Sequence, residues 1–272
     1  MVPRPSATRV FVVANQKGGV GKTTSTVNVA AALAQLGQHV LVIDLDPQGN
    51  ASTALNIEHR RGVPSTYELL VEGASLSDVV TPCPDIEGLD VVPATIDLAG
   101  AEIELVSVVA RENRLRRAIH GHPMVGDESR GEDRYDYVLI DCPPSLGLLT
   151  LNALVAGDEM MIPIQAEYYA LEGLGQLLET VDMVRAHLNP DLAVSTILVT
   201  MYDARTRLAA GVAAEVREHF GDQVLRTSIP RSVRVSEAPS YGQTVMTYDP
   251  GSPGALSYFE AAREIATKGA RP

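Results

Sequence analysis

Short apolar runs alternate with longer stretches of helical periodicity along most of the chain. The runs are typical of buried strands, and the stretches between them are typical of helices. Strands that alternate with helices predict parallel strands joined by right-handed crossovers. We therefore predict an α/β fold, a single doubly wound domain with a mostly parallel sheet flanked by helices. Strands are predicted at 10–14, 39–44, 89–92, 137–141, 159–164, 194–200 and 224–229, and helices from 22 to a stop at Gly37 and at 101–119, 171–188, 208–220 and 255–267.

The domain is predicted to span residues 9–268. Residues 1–8 lack the apolar segment of a signal peptide and are expected to form a disordered tail, and 269–272 are expected to form a second short tail. Residues 121–134 are rich in acidic and other polar side chains, and the strand pattern resumes after them. They predict a polar surface loop, either a disordered insertion or a contact for a partner.

Composition narrows the class of protein. With 45% apolar and 21% charged residues, the 272-residue chain has the make-up of a soluble globular protein. Two cysteines are too few for a disulfide framework, which favours a cytoplasmic protein, and no apolar run approaches the roughly 18 residues of a membrane span. Taken as a total, the formal net charge of −12 argues against a nucleic-acid partner.

Lysine is used sparingly. Of the 22 basic residues, 19 are arginine and only three are lysine, namely Lys17, Lys22 and Lys268. Two of them lie five residues apart in one glycine-rich loop, in a chain that otherwise uses arginine. This indicates that the loop needs a compact ammonium group.

Residues 16–23 read Gln-Lys-Gly-Gly-Val-Gly-Lys-Thr between a predicted strand and a predicted helix, which is the context of a phosphate-binding P-loop. Glycines allow positive φ angles and close backbone approach, and the loop and helix N–H groups would surround a polyphosphate. Lys22 would reach the β and γ phosphates, and the Thr23 hydroxyl would ligate Mg²⁺. The alternative is a glycine-rich turn with an incidental Lys-Thr pair. The predicted ATP-binding residues of the loop are Lys17, Gly18, Gly19, Val20, Gly21, Lys22, Thr23 and Thr24.

The loop departs from the standard P-loop pattern, because Gln16 stands at the first glycine position and Lys17 follows it. In this it resembles the deviant Walker A ATPases with the KGGxGK[ST] loop, which include the ParA/Soj partition ATPases, MinD, the Mrp-type carriers and the nitrogenase iron protein. The resemblance implies that Lys17 reaches across a nucleotide-sandwich dimer to the partner's phosphates. A second cation also suits the charge that gathers on a γ-phosphoryl group during transfer. The alternative for Lys17 is a solvated surface lysine.

Carboxylates follow two predicted strands, where open α/β sheets place their ligands. Asp44 and Asp46 share a side by strand alternation, so both can point toward the phosphates. Resemblance to the switch I segment of the family implies that Asp46 orients or activates the attacking water, with Asp44 as a supporting Mg²⁺ or water contact. Asp141 ends an apolar run in the Walker B layout and is predicted to hold Mg²⁺. The alternatives are turn chemistry after Asp46 and a strand cap at Asp141.

Three further segments, 141–147, 200–206 and 229–239, resemble the ParA/Soj branch. The Mrp and nitrogenase-type relatives need cluster-ligating cysteines, which two isolated cysteines do not supply. MinD attaches to membranes through a basic amphipathic C-terminal helix, whereas residues 258–272 have mixed charge and little apolar surface. Larger plasmid partition ATPases carry an N-terminal helix-turn-helix region, for which no room is expected before a loop at residue 16. We therefore expect no membrane partner.

The branch binds DNA without sequence preference when ATP has made it dimeric, so the local charge matters. Residues 201–240 hold six arginines and five acids, a net charge of +1, against −13 for the remaining 232 residues. Arg205, Arg231 and Arg234 fall in the segments that carry DNA contacts in the family. The alternative is that these arginines are solvated or paired with Asp203 and Glu237. Met201 and Pro230 are candidates for packing against adenine.

The resemblance thus implies an ATP-dependent chromosome or plasmid partitioning switch with weak basal ATPase activity, which uses ATP and Mg²⁺. An ATP-bound homodimer would bind non-specific double-stranded DNA, and a ParB/Spo0J-type centromere-binding protein would release it by stimulating hydrolysis. The protein would be cytoplasmic and associated with the nucleoid. One alternative is a MinD-like ATPase that positions another cargo or acts on a membrane. A second alternative is a small-molecule kinase or ligase that shares the P-loop.

Overall fold

The computed structural model describes residues 2–131, 133–167 and 173–269, and seven strands within them form one sheet. The strand order is β3-β4-β2-β5-β1-β6-β7, so β1 lies between β5 and β6 in the interior of the sheet. All pairs are parallel except the antiparallel β3–β4 pair at one edge. The strands are β1 (Arg9–Val13), β2 (Val40–Asp44), β3 (Thr81–Pro82), β4 (Leu89–Val92), β5 (Tyr137–Asp141), β6 (Glu159–Gln165) and β7 (Ala193–Thr200).

Helices cover both faces of the sheet, as the near-continuous apolar strands require. One face carries α1, α2 and α11, and the other carries α4 to α8, each over its own buried hydrophobic cluster. The predicted α/β fold class is confirmed. The helices are α1 (Lys22–Gln35), α2 (Asn50–Ala54), α3 (Leu76–Val79), α4 (Leu98–Leu105), α5 (Arg114–His120), α6 (Leu148–Ala156), α7 (Leu174–His187), α8 (Arg207–Phe220), α9 (Val233–Glu237), α10 (Val245–Tyr248) and α11 (Pro253–Gly269).

The helix predicted over 101–119 is wrong as a single element. It is divided into α4 and α5 by a turn in which Ala110 has a φ of 53°. The division lets Leu105 on α4 and Leu115 on α5 both enter the same buried cluster. Between them, Val106 and Val109 are exposed, so hydrophobic periodicity runs through a segment that the sheet face does not cover.

Two other elements differ from what the sequence predicted, and part of a third prediction lies outside the described residues. The strand predicted at 224–229 makes only isolated bridges, from Val224 to Ile197 and from Pro230 to Tyr202, beside the edge strand β7. Helix α6 was not predicted, because its sequence is apolar on nearly every side and shows little periodicity. Residues 171–172 of the helix predicted at 171–188 lie outside the described residues, and α7 begins at Leu174.

Residues 1–8 were expected to form a disordered tail. The described part of this segment, residues 2–8, is instead bonded to the rest of the domain. Arg4 donates two hydrogen bonds to the buried carboxylate of Asp136, at 2.9 and 3.0 Å. The Thr8 amide donates to the carbonyl oxygen of Gly126 at 2.7 Å, and Ala7 forms a bridge to Asp127. The polar loop predicted at 121–134 thus covers this segment. Residue 132 of the loop, residue 1 of the first tail and residues 270–272 of the second lie outside the described residues.

Candidate nucleotide-binding site

The predicted phosphate-binding residues lie at the carboxyl ends of three adjacent strands, β2, β5 and β1. The glycine-rich loop leaves β1 and enters α1, and Asp44 and Asp141 are the last residues of β2 and β5. In the parallel register Asp141 pairs with both Val13 and Asp44, so the three strand ends are level. Parallel pairing therefore gathers side chains from three distant parts of the sequence at one edge of the sheet.

The loop has the backbone that a phosphate cradle requires. Gly19 and Gly21 have φ angles of 75° and 89°, in the left-handed region that favours glycine. A Cβ atom added at Gly18 or Gly19 would meet no atom within 4 Å, so this side of the loop is open. Helix α1 begins at Lys22, directly after the loop, and its first N–H groups face the same space.

Lys22 is folded back across the loop. Its Nζ donates to the carbonyl oxygen of Lys17 at 3.2 Å, and the residue is only 7% exposed. Burial lowers the pKa of the ammonium group, while the charges of Asp141 and Asp46 raise it. A buried cation that donates to a neutral carbonyl oxygen gains from an anion placed beside it, which is what a phosphate group supplies.

Asp141 has an unsatisfied carboxylate oxygen. Its Oδ1 accepts a hydrogen bond from the Thr26 hydroxyl at 3.0 Å, whereas Oδ2 is buried and has no hydrogen-bond partner among the described residues. Burial raises the pKa of Asp141 to about 8, and repulsion from Asp44 adds to the effect. A buried carboxylate with one idle oxygen needs either a proton or a cation.

Asp44 and Asp46 have different surroundings. Asp44 is fully buried, and its Oδ2 accepts hydrogen bonds from the amide and hydroxyl of Ser52 at 2.9 and 2.7 Å. Its Oδ1 accepts from the amide of Asp46 at 3.1 Å, and burial raises its pKa to about 6. Asp46 lies further out and accepts from the Gln48 amide at 3.0 Å. Asp44 therefore fixes the backbone that presents Asp46, and the roles predicted for both in hydrolysis stay predictions.

These residues fit a magnesium-bound nucleoside triphosphate. The idle oxygen of Asp141 and the hydroxyl of Thr23, the second residue of α1, are hard oxygen donors of the kind that Mg²⁺ prefers. Lys22 and the open side of the loop suit the phosphates. A bound cation would supply charge that cancels the repulsion between Asp44 and Asp141.

Lys17 is directed away from its own loop. Its Nζ lies 3.0 Å from Oε2 of Glu167, and the two side chains are 39% and 48% exposed. Gln165 donates its side-chain amide to the other oxygen of Glu167 at 2.5 Å. Lys17 thus lies on the outer rim of the site and is partly exposed. The alternative to its role across a dimer was a solvated surface lysine, and the role itself stays a prediction.

Met201 and Pro230 lie at the other end of the loop. The Thr200 hydroxyl donates to the carbonyl oxygen of Val20 at 2.7 Å, and a Cβ atom at Gly21 would lie 3.9 Å from Cε of Met201. Tyr202 bridges Pro230 in a parallel arrangement. The structure brings Met201 beside the P-loop and Pro230 beside Tyr202, the residue that follows Met201, and the contact of both candidates with adenine stays a prediction.

The three candidate DNA-binding arginines are exposed, and two of them are paired with acids. Arg205 donates to both oxygens of Asp203 at 2.9 Å. Arg234 lies 3.3 Å from Glu237 and 3.4 Å from Asp249. The pairing that the alternative named is thus present for Arg205 with Asp203 and for Arg234 with Glu237, and the DNA-binding role of the three arginines stays a prediction. Weak exposed pairs of this kind can be exchanged for phosphate contacts at small cost.

Comparison with known proteins identifies the family. A family model described as an AAA domain matches residues 8–194. The sporulation initiation inhibitor protein Soj of Bacillus subtilis is 51% identical over 261 residues, which cover 96% of this chain and 99% of Soj. The chromosome partitioning protein ParA of Caulobacter vibrioides is 47% identical over 260 residues, or 96% of this chain and 94% of ParA. The chain belongs to the ParA/Soj family.

As a ParA/Soj family member the chain is an ATPase that works with ATP and Mg²⁺, and the family, activity and cofactors predicted from the sequence are confirmed. A solved structure named cobyrinic acid a,c-diamide synthase, from Mycobacterium smegmatis with bound ADP and magnesium, matches with a TM-score of 0.77. It is 39% identical, and the match covers 94% of this chain and 92% of that one. No helix in the described part of the chain is long and apolar enough to cross a bilayer.

Sequence reasoning missed several residues of this ParA/Soj site. The hydroxyls of Thr26, Ser52 and Thr200 each hydrogen bond to a predicted site residue, and such polar contacts carry no sequence pattern. Glu167 did have a signal, because it follows the end of β6, the strand beside β1. The strand-end rule that found Asp44 and Asp141 also applies to it.

Proposed function

We propose that the protein is an ATP-gated DNA-binding switch that partitions chromosomes or plasmids. ATP and Mg²⁺ bound in the P-loop would complete a sandwich homodimer, which binds double-stranded DNA without sequence preference and so associates with the nucleoid. Hydrolysis, slow in the isolated protein and stimulated by a ParB/Spo0J-type partner, would release it. The names of the two curated relatives, Soj and the chromosome partitioning protein ParA, support this assignment.

The position of Lys17 is the observation that carries the proposal. A lysine that served the phosphates of its own protomer would point into the loop, as Lys22 does at 3.2 Å from the Lys17 carbonyl oxygen. Lys17 instead extends outward to Glu167 on the rim, within reach of a second protomer placed over the site. Lys17 would gain by exchanging the exposed carboxylate of Glu167 for a polyphosphate, because the phosphates carry more charge and a dimer interface excludes water.

The DNA surface proposed here consists of Arg205, Arg231 and Arg234. All three are exposed beyond the carboxyl end of β7, in segments joined by hydrogen bonds between Tyr202 and residues 229 and 231. Dimerisation doubles this surface, and each phosphate contact adds to a salt-dependent affinity. The net charge of −12 is compatible with such a surface, because basic residues are denser in residues 201–240, with six in 40 positions, than in the remaining 232, which hold 16.

Co-sedimentation with DNA, in ATP, in ADP and without nucleotide, tests the proposal. We expect binding only with ATP and Mg²⁺, with an affinity that falls steeply between two salt concentrations. Asp46→Ala should bind ATP but fail to hydrolyse it, so that the dimer stays on the DNA. Rapid return of this variant to monomers in ATP would contradict the role of Asp46, and DNA binding that ignores the nucleotide would contradict the switch.

The same assay separates the alternatives. A positioning ATPase of the MinD type would sediment with liposomes in ATP and not with DNA. The name of the Mycobacterium smegmatis structure describes an amide-forming enzyme, and an activity of that kind would make ATP turnover depend on an added carboxylic-acid metabolite. Partitioning is favoured because the relatives named Soj and ParA are more similar to the chain, at 51% and 47% identity.

A further inference from the structure

One buried side chain joins the first turns of the P-loop helix to the segment that carries Arg234. Asn28 lies on α1 and is 2% exposed. Its Nδ2 donates to the carbonyl oxygen of Thr24 at 2.7 Å, and its Oδ1 accepts from the main-chain amide of Val245 at 2.8 Å. The side-chain nitrogen of Asn28 thus bonds within α1, and its side-chain oxygen bonds to the first residue of α10.

The bond to Val245 caps α10 from outside the local sequence. Thr244 occupies the N-cap position of α10, where a threonine hydroxyl ordinarily accepts a hydrogen bond from the first turn. Here the Thr244 hydroxyl makes no such bond, and within the described part of the chain it is buried without a hydrogen-bond partner. The cap comes instead from Asn28, 217 residues away in the chain. The placement of α10 is therefore tied to α1.

Helix α10 in turn borders the contacts that hold Arg234. Asp249 directly follows α10, its amide donates to the carbonyl oxygen of Val245 at 3.0 Å, and its Oδ2 lies 3.4 Å from Nε of Arg234. Glu237 accepts from Nη1 of Arg234 at 3.3 Å and from the Tyr248 hydroxyl at 3.4 Å. The Arg234 guanidinium can turn fully to a DNA phosphate only when the contacts to these acids open.

We propose that Asn28 is a positioning residue that makes the release of Arg234 depend on the nucleotide. Thr24 follows the predicted magnesium ligand Thr23, so a phosphate in the loop shifts the Thr24 carbonyl oxygen to which Asn28 is bonded. Asn28 carries the shift to the N-terminus of α10 and so to Asp249. The proposal rests on the proposed function. In it, α10 and Asp249 take one position with a phosphate in the loop and another without it, and two such arrangements are what coupling between two sites requires.

Three variants test the connection. Asn28→Ala removes both hydrogen bonds. Asn28→Asp keeps an acceptor for Val245 but replaces the donor to Thr24 with a repelling oxygen, so it cuts one link and preserves the cap. Thr244→Val is the matched control, because it removes at the same junction a hydroxyl that has no partner.

We expect ATP affinity and ATP-dependent dimerisation to stay within about twofold of wild type in all three variants. The ratio of DNA affinities in ATP and ADP should fall about two- to fivefold in both Asn28 variants, as expected for exposed ion pairs, and stay unchanged in Thr244→Val. An unchanged ratio in Asn28→Asp, with Val245 still capped, would overturn the proposal. Loss of ATP binding together with DNA binding would also overturn it, since Asn28 would then serve the nucleotide site itself.

Hydrogen exchange of the main-chain amides at 245–249, measured without DNA, makes the test independent of the proposed function. Addition of ATP to the full-length wild-type protein should change their exchange rates severalfold, and the change should vanish in Asn28→Asp. Equal changes in both proteins would overturn the coupling whatever the DNA assay shows. A wild-type protein that shows the change but never binds DNA would refute the proposed function and leave the coupling standing.

Discussion

Asp44 and Asp141 are register partners on adjacent parallel strands, and they use their oxygens differently. Both oxygens of Asp44 accept hydrogen bonds from the segment that follows it, whereas Oδ2 of Asp141 is buried without a partner. Two carboxylates side by side in a buried site cannot both remain charged without compensation. The difference in partners therefore favours Asp141 over Asp44 as the predicted magnesium ligand, and it indicates that Asp44 positions the loop that carries Asp46.

Replacement of Asp141 by asparagine should separate function from stability. We expect Asp141→Asn to lose at least tenfold in magnesium-dependent ATP affinity, because the proposed ligand oxygen is gone. In the nucleotide-free protein the same change should stabilise at alkaline pH, because it removes a buried charge. Titration calorimetry in Mg²⁺ and in EDTA measures the first effect, and unchanged affinity in Mg²⁺ would exclude Asp141 as a ligand.

The pH dependence of stability gives a second check on the same residue. Burial raises the pKa of Asp141 from 3.8 to about 8, so between these values the folded protein binds more protons than the unfolded chain. The free energy of unfolding must then fall as the pH rises through this range, by at most about 1.4 kcal/mol per pH unit for one group. Urea unfolding in EDTA at pH 5 and pH 8 should show this fall in wild type and a smaller fall in Asp141→Asn. Identical falls in the two proteins would contradict the shift.

Glu167 should restrain Lys17 in the nucleotide-free protein. In Glu167→Gln the 3.0 Å ion pair is lost, and Lys17 becomes available to a partner's phosphates. We expect the ATP-dependent dimer to tighten about two- to fivefold, because an exposed pair is worth less than about 1 kcal/mol. Sedimentation velocity in ATP measures the change. Glu58→Gln, which removes an acid from the exposed Arg60 pair, is the control, and an equal effect there would mean that only net charge matters.

Asp203 should restrain Arg205 in the same way. Arg205 holds the pKa of Asp203 down at about 2 through hydrogen bonds to its carboxylate, so the pair stays ionised at any physiological pH. Asp203→Asn should raise DNA affinity in ATP about two- to fivefold and steepen its salt dependence by up to about one charge. The control is Asp182→Asn, which makes the same charge change at an exposed position on α7, outside the proposed DNA surface. Equal gains in both variants would remove Arg205 from the DNA surface.

Replacement of glycine by alanine should lower the stability of the protein at one position and raise it at another. A Cβ atom at Gly157 would lie 2.3 Å from Cγ2 of Val12, so Gly157→Ala forces α6 and β1 apart and should cost about 1–3 kcal/mol of stability. A Cβ atom at Gly211, inside α8, would meet nothing within 4 Å, and Gly211→Ala should stabilise by about 0.5–1 kcal/mol. Thermal unfolding of both variants measures the effects. A stable Gly157→Ala would mean that α6 does not pack against β1 as described.

The elements that sequence predicted well are those with a strong local signal. The strands at 89–92 and 137–141 were found with their observed bounds, since buried parallel strands are continuous apolar runs. Helix α1 ends just before Gly37, whose φ is 87°, as its stop signal indicated. Local patterns failed where the surroundings decide, as at Ala110, which divides a helical periodicity between two packing sites.

The sequence by itself determined the P-loop, its second lysine and the acids at the strand ends, because loop chemistry and strand termination act through neighbouring residues. Only the tertiary structure decided how these groups divide their roles. The bond from Thr26 to Asp141, the outward pairing of Lys17 with Glu167 and the capping of Val245 by Asn28 all join residues more than 100 positions apart. Such contacts depend on which strands become neighbours in the sheet and which helices pack together, and a burial cost or a hydrogen bond exists only after those neighbours are in place.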